Sequence, residues 1–215
     1  MQFYHGTTKS LVPRIINSCL EPSVFSIQDY LSFIIKKAAS NPPRSYEVNG
    51  EQIQTKWLGT GIYLFDIFNK SEAVNWRSRY GNPPDSLSEC TAIIVEIENE
   101  LNDGQLLDLF SYSGKKELKR VLVDKFDELL IEREDLGEKD VKRLIGLQEK
   151  IIESLDNLFE NKPYLGGVAV DLYNLLENGK IKLVRAIYKK GNSDNYYDIY
   201  YCLKDSSLIT SLNSV

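Results

Sequence analysis

A chain of 215 residues, 42% hydrophobic and 27% charged, has the composition of a globular protein and the length to bury a core as a single domain, which excludes disordered and fibrous classes. A net charge of -5 with a pI near 5.1 excludes a broad electrostatic grip on nucleic acid, which takes clustered Lys and Arg, while leaving room for a local basic groove. No run approaches the ~20 apolar residues of a membrane span, and Met1-Gln2-Phe3-Tyr4-His5 does not read as the start of a secretory signal. Cys19, Cys90 and Cys202 have no CxxC spacing and a single histidine to join them, so they are read as reduced thiols of a cytoplasmic protein without a structural metal.

In chain order, residues 2–5 read as a short strand running into a turn at Gly6. Leu11, Ile15 and Ile16 then share a helical face, with Ser10 or Thr8 as the cap. A second helix is expected over 26–39 from the spacing of Ile27, Tyr30, Leu31, Ile34 and Ile35, stopped by Asn41-Pro42-Pro43. The polar stretch 42–56 reads as a loop overhanging a binding site. Residues 58–65 read as a strand interrupted by Gly59 and Gly61, and glycines inside such a pattern mark places where a ligand or another backbone comes close. A helix over 69–80 follows, then the β-branched strand 91–98 and a short continuation at 106–109.

Helical spacing resumes over 115–160, with Leu118, Leu122, Phe126 and Leu129 or Leu130 on one arm and Val141, Leu144, Ile145, Ile151, Leu155, Leu158 and Phe159 on the other. This predicts a helical hairpin broken around Leu136-Gly137, inserted over 114–163 into one domain spanning 1–215; it reads as a solvated amphipathic pair packed on the domain, or as a docking surface for a protein partner. A helix over 168–176 is closed by Asn178-Gly179. Two β-rich runs, 180–189 and 196–203, are joined by Gly191-Asn192-Ser193-Asp194-Asn195 as a hairpin.

Two segments carry the chemistry: Tyr4-His5-Gly6-Thr7, which holds the only histidine, and Gly59-Thr60-Gly61-Ile62-Tyr63-Leu64-Phe65-Asp66, which continues into Asn69-Lys70-Ser71-Glu72-Ala73. In this order they resemble the ADP-ribosyltransferase superfamily, in the His–Tyr–acid branch shared by diphtheria-toxin-like enzymes and poly(ADP-ribose) polymerases. The resemblance covers 3–16, 57–76, roughly 91–109 and 180–210, and leaves out the helical insertion. It implies an α+β fold with a split, mixed or antiparallel sheet flanked by helices. It also implies a NAD-dependent mono-ADP-ribosyltransferase, with NAD as co-substrate, no metal, and a protein, RNA or DNA acceptor. Small stand-alone members of this kind are often toxins of toxin–antitoxin or anti-phage systems, which implies an antitoxin or chaperone partner.

By resemblance His5 holds the adenosine-side ribose of NAD and the Gly6 backbone bonds the nicotinamide carboxamide, with Tyr4 and Thr7 beside them. A neutral imidazole offers a directional bond to a hydroxyl, and glycine lets the backbone approach an amide closely. Tyr63, preceded by Gly61, is the aromatic wall for nicotinamide; where the polymerases place a second tyrosine this chain has Val74, so Trp76 or Phe68 is the second wall. The acid expected at the nicotinamide-ribose 2′-hydroxyl is Asp198 on the late Tyr-rich strand, with Glu96 or Glu98, or no acid at all, as the alternatives. Arg14, Arg77 and Arg79 are the candidates for the pyrophosphate. The RNA 2′-phosphotransferase branch uses a second histidine, which this chain lacks. The other readings are a NAD glycohydrolase, a catalytically silent NAD or ADP-ribose binding module, and a partner-binding protein in which the motifs have no chemical role.

Overall fold

The computed structural model describes residues 1–23, 25–37, 42–80, 85–131, 136–155, 163–189 and 197–215. The expected end of the second helix at Asn41, the 191–195 loop, Tyr196, Leu158 and Phe159 lie outside the described residues. The fold is α+β, with a mixed seven-stranded sheet containing one parallel pair. The chain divides into two compact units, each built from discontinuous segments: 1–22, 61–106 and 182–215 form the first, 23–60 and 107–181 the second.

The first unit begins with β1 (Gln2–Thr8), a 3-10 turn and the short helix α1 (Val12–Asn17). Neither Thr8 nor Leu11, the residues at the two helical starts, makes a side-chain capping bond. β1 does not turn at Gly6 but runs on to Thr8, because pairing with β5 (Cys90–Ile97) continues from Gln2↔Glu96 to Thr8↔Cys90. The remaining elements are β4 (Ile62–Asp66), α3 (Lys70–Tyr80), β7 (Leu183–Lys189), β8 (Tyr197–Leu203) and β9 (Ile209–Ser214). With β6 (Leu106–Asp108) at one edge, the strand order is β6-β7-β8-β4-β1-β5-β9. β9 was not anticipated: it covers the outer edge of β5, Val95↔Leu212 being one of its pairs.

Residues opposite one another in antiparallel strands share a face, so the strand registers sort the side chains. Phe3, Ile62, Leu64, Ile93, Val95 and Leu203 fill one face as an apolar core against which Val12 and Ile15 of α1 pack. Tyr4, Phe65, Tyr63, Tyr200 and Cys202 fall on the other face, through Tyr4↔Phe65, Phe65↔Tyr200 and Tyr63↔Cys202. Gly6 lies on this second face too, and a β-carbon there would stand 1.9 Å from the Ala73 carbonyl oxygen of α3. The glycine is what lets β1 and α3 meet backbone to backbone.

In the second unit, α2 (Ile27–Lys37) starts where the Ser26 hydroxyl accepts from the Asp29 N–H at 3.2 Å, and it buries Tyr30, Leu31 and Ile34 as its spacing requires. The 42–56 segment is not a loop throughout: β2 (Ser45–Val48) and β3 (Glu51–Gln54) form a hairpin. Its two turn residues, Asn49 and Gly50, have φ of 52° and 82°, the left-handed pair that a tight two-residue hairpin requires. Buried Tyr46 ties the hairpin to α2, donating from its hydroxyl to the Ser26 carbonyl and packing edge-on to Tyr30.

The described residues of the 115–160 stretch form the helices α4 (Tyr112–Asp124), α5 (Phe126–Ile131) and α6 (Glu138–Ser154). The break expected at Leu136-Gly137 falls at the start of α6, and a second break at Lys125 divides the first arm. Helix α7 (Pro163–Leu176) ends with the Asn178 N–H on the Leu175 carbonyl and the Gly179 N–H on the Asn174 carbonyl, while Asn178 has φ of 53°. That is a Schellman closure with asparagine in the left-handed position. No helix of the described residues is long and apolar enough to cross a membrane.

Candidate functional site

The glycine-rich segment before Tyr63 straddles the boundary of the two units, and β4 starts only at Ile62, four residues later than the sequence pattern indicates. Within the second unit, Gly59 has φ of 77° and its missing side chain leaves room for the carboxylate of Asp171 on α7, 2.2 Å from where a β-carbon would lie. That carboxylate, buried, accepts from the Thr60 N–H at 2.8 Å and the Thr60 hydroxyl at 3.1 Å. Within the first unit, Gly61 has φ of 151°, and a β-carbon there would sit 2.5 Å from Cys202 Sγ and 2.6 Å from the Leu203 carbonyl oxygen. Both glycines therefore have a packing reason in the folded chain: one admits a carboxylate, the other the backbone of β8.

β1, β4 and β8 carry His5, Tyr63 and Asp198, and they are neighbours in the sheet. The β1–β4 register comprises Phe3↔Asp66 and Tyr4↔Phe65; at the next residue the His5 side chain enters, with Nδ1 2.9 Å from the Tyr63 carbonyl oxygen. A carbonyl only accepts, so Nδ1 carries the proton. Burial pushes the imidazole below its usual 6.5; the Tyr63 carbonyl opposes this and the Arg77 guanidinium reinforces it. The ring is thus neutral at physiological pH, and its Nε2 is a hydrogen-bond acceptor. Alternation puts His5 with Phe3 and Ile93, on the face opposite the Tyr63 ring. His5 and Tyr63 meet edge-on, through backbone, rather than ring to ring.

Tyr63 lies parallel to Trp76 of α3, the ring centroids 6.0 Å apart and the planes inclined by 14°. Trp76 also touches Phe65, Tyr80 and Tyr200. Phe68, the other candidate wall, is 95% exposed in the turn before α3. Thr7 is buried and pairs across to Thr91, and Tyr4 pairs with Ile94 on one side and Phe65 on the other.

Asp198, on the Tyr63 face of β8, accepts at Oδ1 from the Asn69 side-chain amide at 2.8 Å. The strand rise puts it about 14 Å along the sheet from Cys202, the cross-strand partner of Tyr63, four residues away. One turn further along α3, buried Glu72 accepts from the Tyr200 hydroxyl at 3.0 Å. Asn69, Glu72 and Trp76 thus face Asp198 and Tyr200 as a stripe spaced by three and four residues. Sequence reasoning did not select Asn69 or Glu72; helical spacing placed them on one side of α3 but could not say which strand lay beneath.

Glu96 has a structural occupation. It accepts from Ser211 Oγ at 2.8 Å and Gln2 Nε2 at 2.6 Å, bonds that hold its pKa below the usual carboxylate value. It clips β1 and β9 to the two edges of β5, and Glu98 is exposed beyond the strand end. Of the arginines, Arg77 lies nearest the first motif, its β-carbon against the position a Gly6 side chain would fill, and it pairs with Asp85 at 2.5 Å. Arg14 is largely exposed, 3.9 Å from Glu21, and Arg79 is exposed. A groove of about 670 Å³ in the second unit, lined by Ser32, Lys36, Tyr46 and Glu47 among others, contains none of these candidates.

No family model, no curated protein and no solved structure matches this chain.

Proposed function

We propose that the chain is a NAD-dependent mono-ADP-ribosyltransferase that moves ADP-ribose onto a macromolecular acceptor. The observation that carries this reading is the convergence of three distant segments on adjacent strands, β8-β4-β1, with a neutral His5 held by the Tyr63 carbonyl and with Tyr63 and Asp198 on one face. A ligand that uses both groups has to reach them where the β1–β4 register ends, because His5 and the Tyr63 ring stand on opposite faces of the sheet. Nε2 of His5 accepts from a ribose hydroxyl, and Tyr63 gives nicotinamide a face to stack on. Trp76 serves as the opposite wall only after moving: a ring held between two others needs about 7 Å, two contacts of ~3.5 Å, against the present 6.0 Å.

In the reaction the bond between the ribose anomeric carbon and the pyridinium nitrogen breaks, and its electron pair leaves with neutral nicotinamide. In this reading the Asp198 carboxylate stabilises the positive charge then borne by the ribose, more in the transition state than in the ground state, which requires a movement of β8 or α3 that closes the roughly 14 Å of strand between it and the level of Tyr63. The acceptor's lone pair closes the new bond and its proton is released. Purified protein incubated with NAD labelled in the adenosine half and with total cell lysate should yield labelled macromolecule, and sensitivity of the label to protease or to nuclease then names the acceptor class. Release of nicotinamide without labelled macromolecule would make the chain a NAD glycohydrolase, and no consumption of NAD would sink the transferase reading.

A further inference from the structure

We propose that the groove between α2 and the β2–β3 hairpin takes an extended peptide segment of a partner protein, which adds to the outer edge of β2 as a third strand. The groove, of about 670 Å³, falls within the ~300–1,000 Å³ of ligand clefts and contains none of the residues of the proposed transfer. Every residue of β2 from Ser45 to Val48 lines it, whereas β3 contributes Gln52, the cross-strand partner of Glu47. Successive side chains of a strand point to opposite faces, so a groove lined by a whole run of them follows the strand's edge and not one of its faces.

The register shows what that edge offers. A hairpin with a two-residue turn exchanges both hydrogen bonds across the pair that flanks the turn, here Val48 and Glu51, and then across every second pair. Tyr46 and Ile53 are the next such pair, and the Thr55 N–H on the Arg44 carbonyl at 2.9 Å continues the series. The N–H and C=O groups of Ser45 and Glu47 therefore point away from β3, and among the described residues no further strand or backbone group pairs with them. Such an edge is a template for another strand. In strand addition the main-chain bonds supply affinity and the side chains along the walls supply selectivity.

The facing wall is α2, with Asp29 in its first turn and Lys36 and Lys37 in its last, all on the groove. At 1.5 Å per residue, Asp29 and Lys36 stand about 10 Å apart along the axis. Exposed Glu47 is the remaining charge, on the edge strand itself, and half-buried Phe33 and Val48 add apolar contact. An extended chain advances ~13 Å over four residues and returns its side chain to the same face. A lysine and a glutamate four positions apart on the peptide thus reach Asp29 and the lysine pair together, the long lysine stem making up the difference. Opposite charges at the two ends also fix which way the peptide runs. A nucleic acid, with one sign of charge throughout, matches only the Lys36–Lys37 end.

The test uses the purified full chain and a set of acetylated, amidated hexapeptides of alternating valine and threonine, carrying one lysine and one glutamate at every pair of positions. Binding is titrated by fluorescence anisotropy up to about 1 mM peptide. The tightest peptides should carry the two charges four positions apart in one order, with the exchanged order weaker by about 3- to 10-fold. Methylating alternate backbone nitrogens of the best peptide should weaken it at least about tenfold in the frame that faces β2, where main-chain bonds are lost, and less than about threefold in the other. Lys36→Glu combined with Lys37→Glu, at two exposed positions and checked for folding by circular dichroism, should weaken the best peptide and strengthen the one in which its glutamate is replaced by lysine. Absence of binding across the set, equal tolerance of both methylation frames, or indifference of every peptide to the charge reversal would each overturn the proposal. A single-stranded oligonucleotide binding in place of the peptides, with the same dependence on Lys36 and Lys37, would overturn it as well.

Discussion

Substituting Gly6 by alanine tests whether the first motif is built on a backbone-to-backbone contact. The added β-carbon would lie 1.9 Å from the Ala73 carbonyl oxygen and 2.7 Å from its carbon, where ordinary contact starts at 3.4 Å, so β1 or α3 must retreat by about 1.5 Å. The obstacle is helix backbone and cannot rotate away, and α3 is pinned by Trp76 against three rings of the sheet and by the Asn69 and Glu72 bonds to β8. Overpacking of a core costs about 1–3 kcal/mol, and the upper end applies when backbone has to move. For a protein of this size about 3 kcal/mol lowers the melting temperature by roughly 6–12 °C. The same retreat displaces Trp76 and Asn69 relative to Tyr63 and Asp198, and a misplacement of ~1 Å costs on the order of 100-fold in rate. Gly146 in α6 is the internal comparison, since a β-carbon there meets nothing within 4 Å; Gly146→Ala should stabilise by up to about 1 kcal/mol. Thermal melts followed by far-UV circular dichroism, with NAD turnover on the same samples, read both effects. A Gly6→Ala protein melting within 2 °C of wild type at full activity would refute the close approach of β1 and α3.

In the second unit, Asp171→Ala leaves the Thr60 N–H without its buried acceptor, while the Thr60 hydroxyl keeps the Phe25 carbonyl at 2.9 Å, and should cost about 1–3 kcal/mol in urea unfolding; an unchanged midpoint would show that this bond contributes nothing to holding the 57–60 segment. Because burial lowers the pKa of His5 in the folded state, the unfolded chain binds more protons below pH 6.5, so this group's contribution to stability is present above 6.5 and is lost as pH falls from there through the lowered folded-state value. The loss is at most about 1.4 kcal/mol per pH unit and should vanish in His5→Gln, so parallel pH profiles for the two proteins between pH 7 and 5 would contradict it. Tyr63→Ala should weaken NAD binding more than Tyr63→Phe, by roughly 2- to 10-fold for the lost stacking face, as read by calorimetric titration; equal losses would point to the hydroxyl instead of the ring.

Sequence by itself determined which residues face a core. The apolar spacing of Tyr30, Leu31 and Ile34, the alternation of Ile93, Val95 and Ile97, and the stop at Asn178-Gly179 each follow from a local period or a local backbone preference, and each appears in the fold. The two motifs around His5 and Tyr63 were legible because glycine next to a strand-forming, aromatic-flanked residue is a local signal. The β2–β3 hairpin is not legible from a hydrophobic period although Asn49-Gly50 is a strong turn pair, because its strands are four residues each and Tyr46, Val48 and Ile53 are too few apolar positions to frame one. β9 was missed because an edge strand of half-buried residues has the same weak pattern. Only the tertiary structure decided that Gly6 serves α3, that Gly59 makes room for Asp171, that His5 reaches Tyr63 through a carbonyl, and that Asn69 holds Asp198. Periodicity reports that a side chain turns inward but not which distant element it meets. That choice is made by nonlocal strand pairing and by the space a missing β-carbon leaves, neither of which is written within reach of a local window.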